Sequence, residues 1–60
     1  MEKETAEKKY LNQIIFFVVK RGEKCWADRG RVTSVDEYGL LHGTWGRFEV
    51  DPDSDRVEIL

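Results

Sequence analysis

The chain has 60 residues, with one cysteine, one histidine and a formal net charge of −2. One cysteine excludes an internal disulfide, one histidine leaves a Cys/His zinc site short of ligands, and the acidic balance argues against a non-specific nucleic-acid binder. The longest apolar run, residues 14–19, has six residues, far below the ~20 that a membrane helix needs. We therefore expect a small cytoplasmic protein with no membrane segment and no cofactor.

Residues 1–13 are predicted to form an N-terminal helix. The segment Glu2–Asn12 is rich in Glu, Lys and Ala and contains neither Gly nor Pro, a composition that favours helix. Its apolar residues Ala6, Tyr10 and Ile14 recur every four positions and form a narrow stripe. Because an isolated helix of this length is marginal in water, we expect the stripe to lie on the rest of the domain or on a second chain.

A continuous apolar strand is predicted directly after the helix. Every residue of Ile14–Val19 is β-branched or aromatic, and the lack of alternation predicts that both faces of this strand are covered. A chain of this size has little else with which to cover them. We therefore expect a homodimer through the N-terminal helix and the first strand, with a monomer whose helix folds over the strand as the alternative.

Turn residues divide the rest of the chain into short strands. Turns are predicted at Arg21–Glu23, Asp28–Gly30, Asp36–Gly39 and Asp51–Asp55. Strands are predicted at Arg31–Val35, Leu40–Trp45, Arg47–Val50 and Val57–Ile59, with a short strand or loop at Cys25–Ala27. Short strands at this spacing indicate a mainly β protein, and we expect residues 14–60 to form a small SH3-like β-barrel of about five strands with Trp45 and Phe48 in its interior. Together with the helix this makes a single domain.

The second half of the chain carries a longer pattern. It reads Gly30-x-Val32-x-x-Val35-Asp36-x-x-Gly39-x-x-His42-x-x-Trp45, followed by a Pro-Asp turn and a closing Val-Glu-Ile. This pattern resembles a family of small uncharacterised proteins, with a domain of unknown function, from bacterial phages and conjugative elements. The resemblance implies an SH3-type barrel and brings no established activity. Gly43 and Gly46 depart from the family, which usually has a β-branched residue at the first position and an Asp-Asn-Gly-like turn after Trp45.

Few residues suit catalysis or metal binding. His42 and Cys25 are the only plausible base and nucleophile, and such residues are more often a half-exposed strand histidine and a small buried hydrophobe. Asp51, Asp53 and Asp55 alternate as in a calcium loop but lack the central glycine of an EF-hand. We therefore expect no enzyme and no metal site.

Two groups of residues are candidates for binding a partner. The first lies around the predicted turns, where SH3-type barrels present aromatic side chains to peptides: Trp26, Tyr38, His42 and Arg47. The second is a possible basic patch: Lys20, Arg21, Lys24, Arg29 and Arg31. We expect a non-catalytic module that binds a protein partner. The alternative is weak nucleic-acid binding through the basic patch, with Trp26 stacking on a base.

Overall fold

Five antiparallel strands and one helix make up the computed structural model, which describes residues 1–60. The elements are α1 (Lys3–Tyr10), β1 (Ile14–Arg21), β2 (Lys24–Val35), β3 (Leu41–Gly43), β4 (Gly46–Val50) and β5 (Arg56–Ile59). The strands form one sheet in the order β4-β3-β2-β1-β5. The predicted mainly β class and the N-terminal helix are confirmed. No ladder joins β4 to β5, so the sheet is not closed and the finer prediction of a barrel is not confirmed.

The longest strand shows that the predicted turn at Asp28–Gly30 is wrong. β2 has 12 residues, and its first part pairs with β1, with Lys24 opposite Arg21 and Arg31 opposite Ile14. From Val32 onward it pairs with β3, and the register shifts between Val32 and Ser34. The turn preference of Asp-Arg-Gly is a local effect, and here the pairing with β1 outweighs it because each of these residues has a partner in the ladder.

Two glycines are required by the packing of Trp45. A Cβ atom at Gly30 would lie 2.6 Å from Thr44 Oγ1 and 3.1 Å from the Trp45 ring, and one at Gly43 would overlap both the Arg31 carbonyl oxygen and the same ring. Trp45 Nε1 donates a hydrogen bond to the Phe48 carbonyl oxygen at 2.9 Å. The indole therefore has a fixed position against the backbone, and position 43 has no room for a β-branched residue.

The core lies on one face of the sheet. Its buried members are Ala6, Tyr10, Ile15, Phe17, Val19, Val32, Val35, Leu41 and Val50, and Met1, Trp26, Trp45, Phe48 and Val57 pack against them half-buried. In β1 the alternate residues Ile15, Phe17 and Val19 are fully buried. Their neighbours Ile14, Phe16 and Val18 point to the other face, where Ile14 is 45% exposed. Only one of the two faces of this run is therefore fully covered, where the sequence predicted cover on both.

Helix α1 packs on β2 and buries two of the three residues of its predicted stripe, because the third, Ile14, belongs to β1 and is exposed. Ala6 and Tyr10 are buried in the core cluster. The link to β1 is pinned by two backbone hydrogen bonds of 2.9 Å, from Asn12 N–H to the Val32 carbonyl and from Val32 N–H to the Gln13 carbonyl. In the monomer, the helix side chains that we expected to meet a second chain are thus already buried.

A polar clamp holds the ends of β1 and β4 to the turn before β5. The Arg21 guanidinium donates to both carboxylate oxygens of Asp55, at 2.8 and 2.9 Å, and to the Glu49 carbonyl oxygen at 3.3 Å. Asp55, whose side chain is 4% exposed, also accepts a 2.8 Å hydrogen bond from the Asp51 N–H. Such bidentate charged pairs are among the strongest hydrogen bonds in proteins. The clamp lies where the sheet has no ladder, and it joins the two strands that backbone pairing leaves apart.

We expect Gly43→Ala to lower the free energy of unfolding by about 3 kcal/mol, the upper end of the range of roughly 1–3 kcal/mol for overpacking. The new methyl group would meet a backbone oxygen and a fixed indole, neither of which can move aside. Gly22→Ala is the matched control, because its Cβ would meet nothing within 4 Å while its φ of +63° costs about 1 kcal/mol. Urea unfolding followed by tryptophan fluorescence measures both, and equal losses would contradict the packing role of Gly43.

The clamp predicts acid sensitivity. The hydrogen bonds from Arg21 lower the pKa of Asp55, and hydrogen bonds also lower the pKa of Asp51 and Asp36. A carboxyl group with a depressed folded pKa stabilises the fold above its unfolded value of about 3.9. That contribution is lost as the pH falls through the lower, folded pKa. We expect Asp55→Asn to cost about 2 kcal/mol near neutral pH, as for a hydrogen bond to a charged group.

The difference between wild type and Asp55→Asn should shrink as the pH is lowered below about 4. Urea unfolding at a series of pH values measures it. In an Arg21→Gln background, the same substitution should cost clearly less at neutral pH, because the main donor to Asp55 is gone. A cost that is equal in both backgrounds would show that the clamp does not stabilise the fold.

Candidate functional site

The face of the β2-β1-β5 ladder that points away from the core is the main candidate surface, and we call it the outer face. Residues directly opposite in an antiparallel ladder share a face. The register therefore assigns to it Ile14, Phe16, Val18 and Lys20 from β1, Cys25, Ala27, Arg29 and Arg31 from β2, and Arg56 and Glu58 from β5. Phe16 lies between Arg29 and Glu58, and Val18 lies between Ala27 and Arg56.

The middle of the outer face is apolar and incompletely covered. Ile14 is 45% exposed, and Phe16 and Val18 are half-buried. Neither Phe16 nor Val18 belongs to the core cluster or packs against it. Three consecutive outward positions of the central strand thus present an apolar row to solvent, and charged side chains flank Phe16 on both sides.

Charge is distributed unequally between this face and the rest of the chain. The outer face carries four of the ten Lys and Arg residues and one of the twelve Asp and Glu residues. Its side chains sum to +3, and those of the remaining residues sum to −5. Its single acid, Glu58, forms an exposed ion pair of 2.7 Å with Arg56. The outer face is therefore basic in an acidic protein.

The predicted basic patch is divided between the two faces of the sheet. Lys20, Arg29 and Arg31 share the outer face, where Arg56 joins them. Arg21 and Lys24 face each other at a ladder position on the opposite face, and Arg21 is bound in the clamp. Arg56 was missed because its place depends on the pairing of β5 with β1, which local sequence does not indicate.

Trp26 lies on the opposite side of the sheet from the outer-face cations. It pairs with the buried Val19 and meets Phe48 edge-on at a centroid distance of 5.3 Å. Phe48 and Trp45 in turn meet the Phe17 ring edge-on, at 5.8 and 4.9 Å. The indole that was expected to stack beside the basic patch is part of this aromatic cluster instead.

The other predicted partner-binding residues are spread over β3, β4 and the turn before β3. Tyr38 is 72% exposed, and its backbone N–H donates to Asp36 Oδ1 at 2.9 Å. His42 Nε2 lies 2.9 Å from Asp36 Oδ2, and this hydrogen bond is the main cause of the lowered pKa of Asp36. Arg47 is exposed at the start of β4. No hydrogen bond or ion pair directly joins any two of Trp26, Tyr38, His42 and Arg47.

An open cavity of about 470 Å³ lies beside the clamp, lined by Arg21, Leu40, Phe48, Glu49, Asp51 and Ser54. Two of its three charged groups, Arg21 and Asp51, already have partners within the chain. Arg21 binds Asp55, and the Asp51 carboxylate accepts from the Asp53 N–H and from Ser54 Oγ, each at 2.9 Å. The carboxylates of Asp51 and Asp55 both accept hydrogen bonds from backbone N–H groups of the turn between β4 and β5, which accounts for their spacing in the sequence.

The residues considered for chemistry lie apart. Cys25 is exposed on the outer face, and His42 belongs to β3 and is bonded to Asp36. No group of three or more His, Cys, Asp or Glu side chains is arranged to hold a metal ion. The histidine considered as a base is therefore not a neighbour of the one thiol, whose partner across the ladder is Lys20.

Comparison of the chain with protein-family models, with curated proteins and with solved structures found no match. The single helix is too short and too polar to cross a membrane. The assignment of the outer face as candidate site thus rests on the exposure, register and charge of this chain's own residues.

Proposed function

We propose that this chain is a non-catalytic protein-interaction module whose outer face binds an acidic segment of a partner protein that also carries apolar side chains. One observation carries this proposal: the apolar row Ile14, Phe16 and Val18 is left partly exposed on a face whose side chains carry a net positive charge. A partner that covers the row gains about 25 cal/mol for each Å² of apolar surface removed from water. The surrounding arginines attract acids and disfavour basic partners.

A protein partner fits the outer face better than a nucleic acid does. The four cations of this face favour weak nucleic-acid binding as the second candidate function. Single-stranded nucleic acid, however, also needs aromatic side chains on which bases stack. The outer face has only Phe16 for this purpose, since Trp26 lies on the other side, and the aliphatic Ile14 and Val18 offer no π surface.

A second copy of this chain fits the outer face poorly, because each copy would bring a side-chain charge of +3 to the contact. Ala6 and Tyr10, the helix residues of the dimer surface expected from the sequence, are buried within their own chain. A dimer through the helix and first strand therefore stays a prediction, and an acidic partner is the better occupant of this surface.

The proposal includes an SH3-like barrel as the framework of the module. Its support is the strand order, the sharing of the long β2 between ladders with β1 and β3, and the clamp across the gap between β4 and β5. The resemblance of Gly30–Trp45 to small barrel proteins of phages and conjugative elements supports a role in a bacterial mobile element. The single thiol of Cys25 suits the reducing cytoplasm.

Selection of random peptides displayed on phage against the immobilised chain tests the chemistry of the partner. We expect the recovered peptides to be enriched in Asp and Glu together with apolar residues. Fluorescence anisotropy then measures the affinity of a labelled recovered peptide for four variants. Phe16→Thr and Arg29→Glu on the outer face should each weaken binding about tenfold, which corresponds to ~1.4 kcal/mol.

Two matched substitutions elsewhere serve as controls. Tyr38→Thr removes an aromatic ring that is 72% exposed, and Arg47→Glu reverses an exposed charge on β4; both should leave the affinity within about twofold, which is less than ~0.5 kcal/mol. Loss of binding in the controls alone would move the site to the residues around the turns. A labelled single-stranded oligonucleotide that binds more tightly than the peptides, and loses affinity in the outer-face variants, would assign this face to nucleic acid.

A further inference from the structure

Strand β5 ends the sheet and leaves one backbone edge free. It pairs with β1 alone. The Leu60 N–H donates to the Ile14 carbonyl at 2.9 Å, so Leu60, Glu58 and Arg56 direct their backbone groups toward β1. Because direction alternates along an antiparallel strand, Val57 and Ile59 direct theirs to the free edge.

The free edge of β5 is short and carries two charged residues, but it has neither a proline nor a bulge that would prevent strand pairing. Its four residues, Arg56–Ile59, include no proline and no lysine, and its ladder with β1 has no bulge. The opposite edge of the sheet differs, because the ladder of β4 is irregular and the Glu49 carbonyl accepts a hydrogen bond from Arg21. Of the two edges, that of β5 is the one open to another strand.

The charges of β5 make this edge complementary to itself. When two copies of β5 pair antiparallel with Val57 opposite Val57, Arg56 of each chain stands opposite Glu58 of the other. Opposite charges at such positions stabilise a pair of strands, and like charges destabilise it. A register shifted to centre on Glu58 would place two glutamates opposite each other. Charge therefore selects the register centred on Val57, in which Val57 of each chain exchanges both of its free backbone hydrogen bonds with the other.

We propose that the chain forms a homodimer through antiparallel pairing of its β5 edges, centred on Val57. The contact is isologous, as in most closed dimers, and is short, so the dimer forms only at high protein concentration. It joins the two sheets into one and sets two outer faces side by side. The contact is made by the backbone edge of β5 and shares with the outer face only the side chains of Arg56 and Glu58, and the dimer holds whether or not the proposed function does.

Sedimentation equilibrium of the full chain over a range of concentrations tests the proposal with two charge reversals. Arg56→Glu gives a strand with two acids and Glu58→Arg gives one with two bases, so each variant sets like charges opposite in its own homodimer. Each should dimerise about tenfold more weakly than wild type, the equivalent of ~1.4 kcal/mol. The monomers should stay folded, because the Arg56–Glu58 ion pair is exposed and such pairs contribute little to stability.

Mixing the two variants is the decisive arm. In a one-to-one mixture, the acidic strand of one variant stands opposite the basic strand of the other, and a heterodimer should form at least as readily as the wild-type dimer. Loss of the Arg56–Glu58 ion pair within each variant chain would not by itself make the two variants form a heterodimer. Arg47→Glu is the matched control on β4 and should leave the wild-type dimer unchanged.

Three results would overturn the β5 dimer. The first is a wild-type chain that stays monomeric at about 1 mM, a concentration at which an association weaker than ~4 kcal/mol goes undetected. The second is a mixture of the two variants that behaves as the sum of its components. The third is a wild-type dimer that is indifferent to both reversals and is lost in Phe16→Thr, which would assign the dimer contact to the outer face.

Discussion

The alternation of side chains in β1 is the constraint on which the rest of the structure depends. A strand directs successive residues to opposite faces, and a chain of 60 residues has enough other elements to cover one face of a fully apolar strand. Ile15, Phe17 and Val19 take the covered side and have no exposed surface. The helix, the hairpin of β3 and β4 and the aromatic cluster all pack on that side. The other row of β1, Ile14, Phe16 and Val18, is covered only by the side chains beside it in the ladders with β2 and β5.

The clamp of Arg21, Asp55 and Glu49 follows from this one-sided packing. With the core on one face, β4 and β5 are the outermost strands, and no backbone ladder joins them. Arg21 occupies the last position of β1, on the core side, and reaches Asp55 in the turn before β5 and the Glu49 carbonyl in β4. The same alternation that withdraws Arg21 from the basic patch leaves Lys20, Arg29 and Arg31 together on the outer face. The alternation of side chains along β1 thus places Arg21 in the clamp beside the core and also gathers the cations of the outer face.

Sequence predicted the features that depend on neighbouring residues and missed those that depend on distant ones. Composition was sufficient to predict the helix, β-branched and aromatic residues to predict β1, and turn residues to predict the turn at Asp36–Gly39. The turn expected at Asp28–Gly30 is extended, because pairing with β1 is a long-range effect that turn preferences do not contain. For the candidate site, a prediction of β2 as one continuous strand would have placed Arg29 and Arg31 on the opposite face of the sheet from Trp26, because side chains alternate along a strand. Arg56 can be assigned to the outer face only when the pairing of β5 with β1 is known.

One row of β1 side chains is buried, and the adjacent row is partly exposed to solvent. Methyl resonances of Ile14, Ile15, Val18 and Val19 report on the two rows separately, and their relaxation by a soluble gadolinium chelate measures how closely solvent approaches each one. The structure predicts strong relaxation at Ile14, less at the half-buried Val18, and protection at Ile15 and Val19. Equal protection at all four residues in the dilute monomer would contradict the account, because another part of the chain would then cover the outer face.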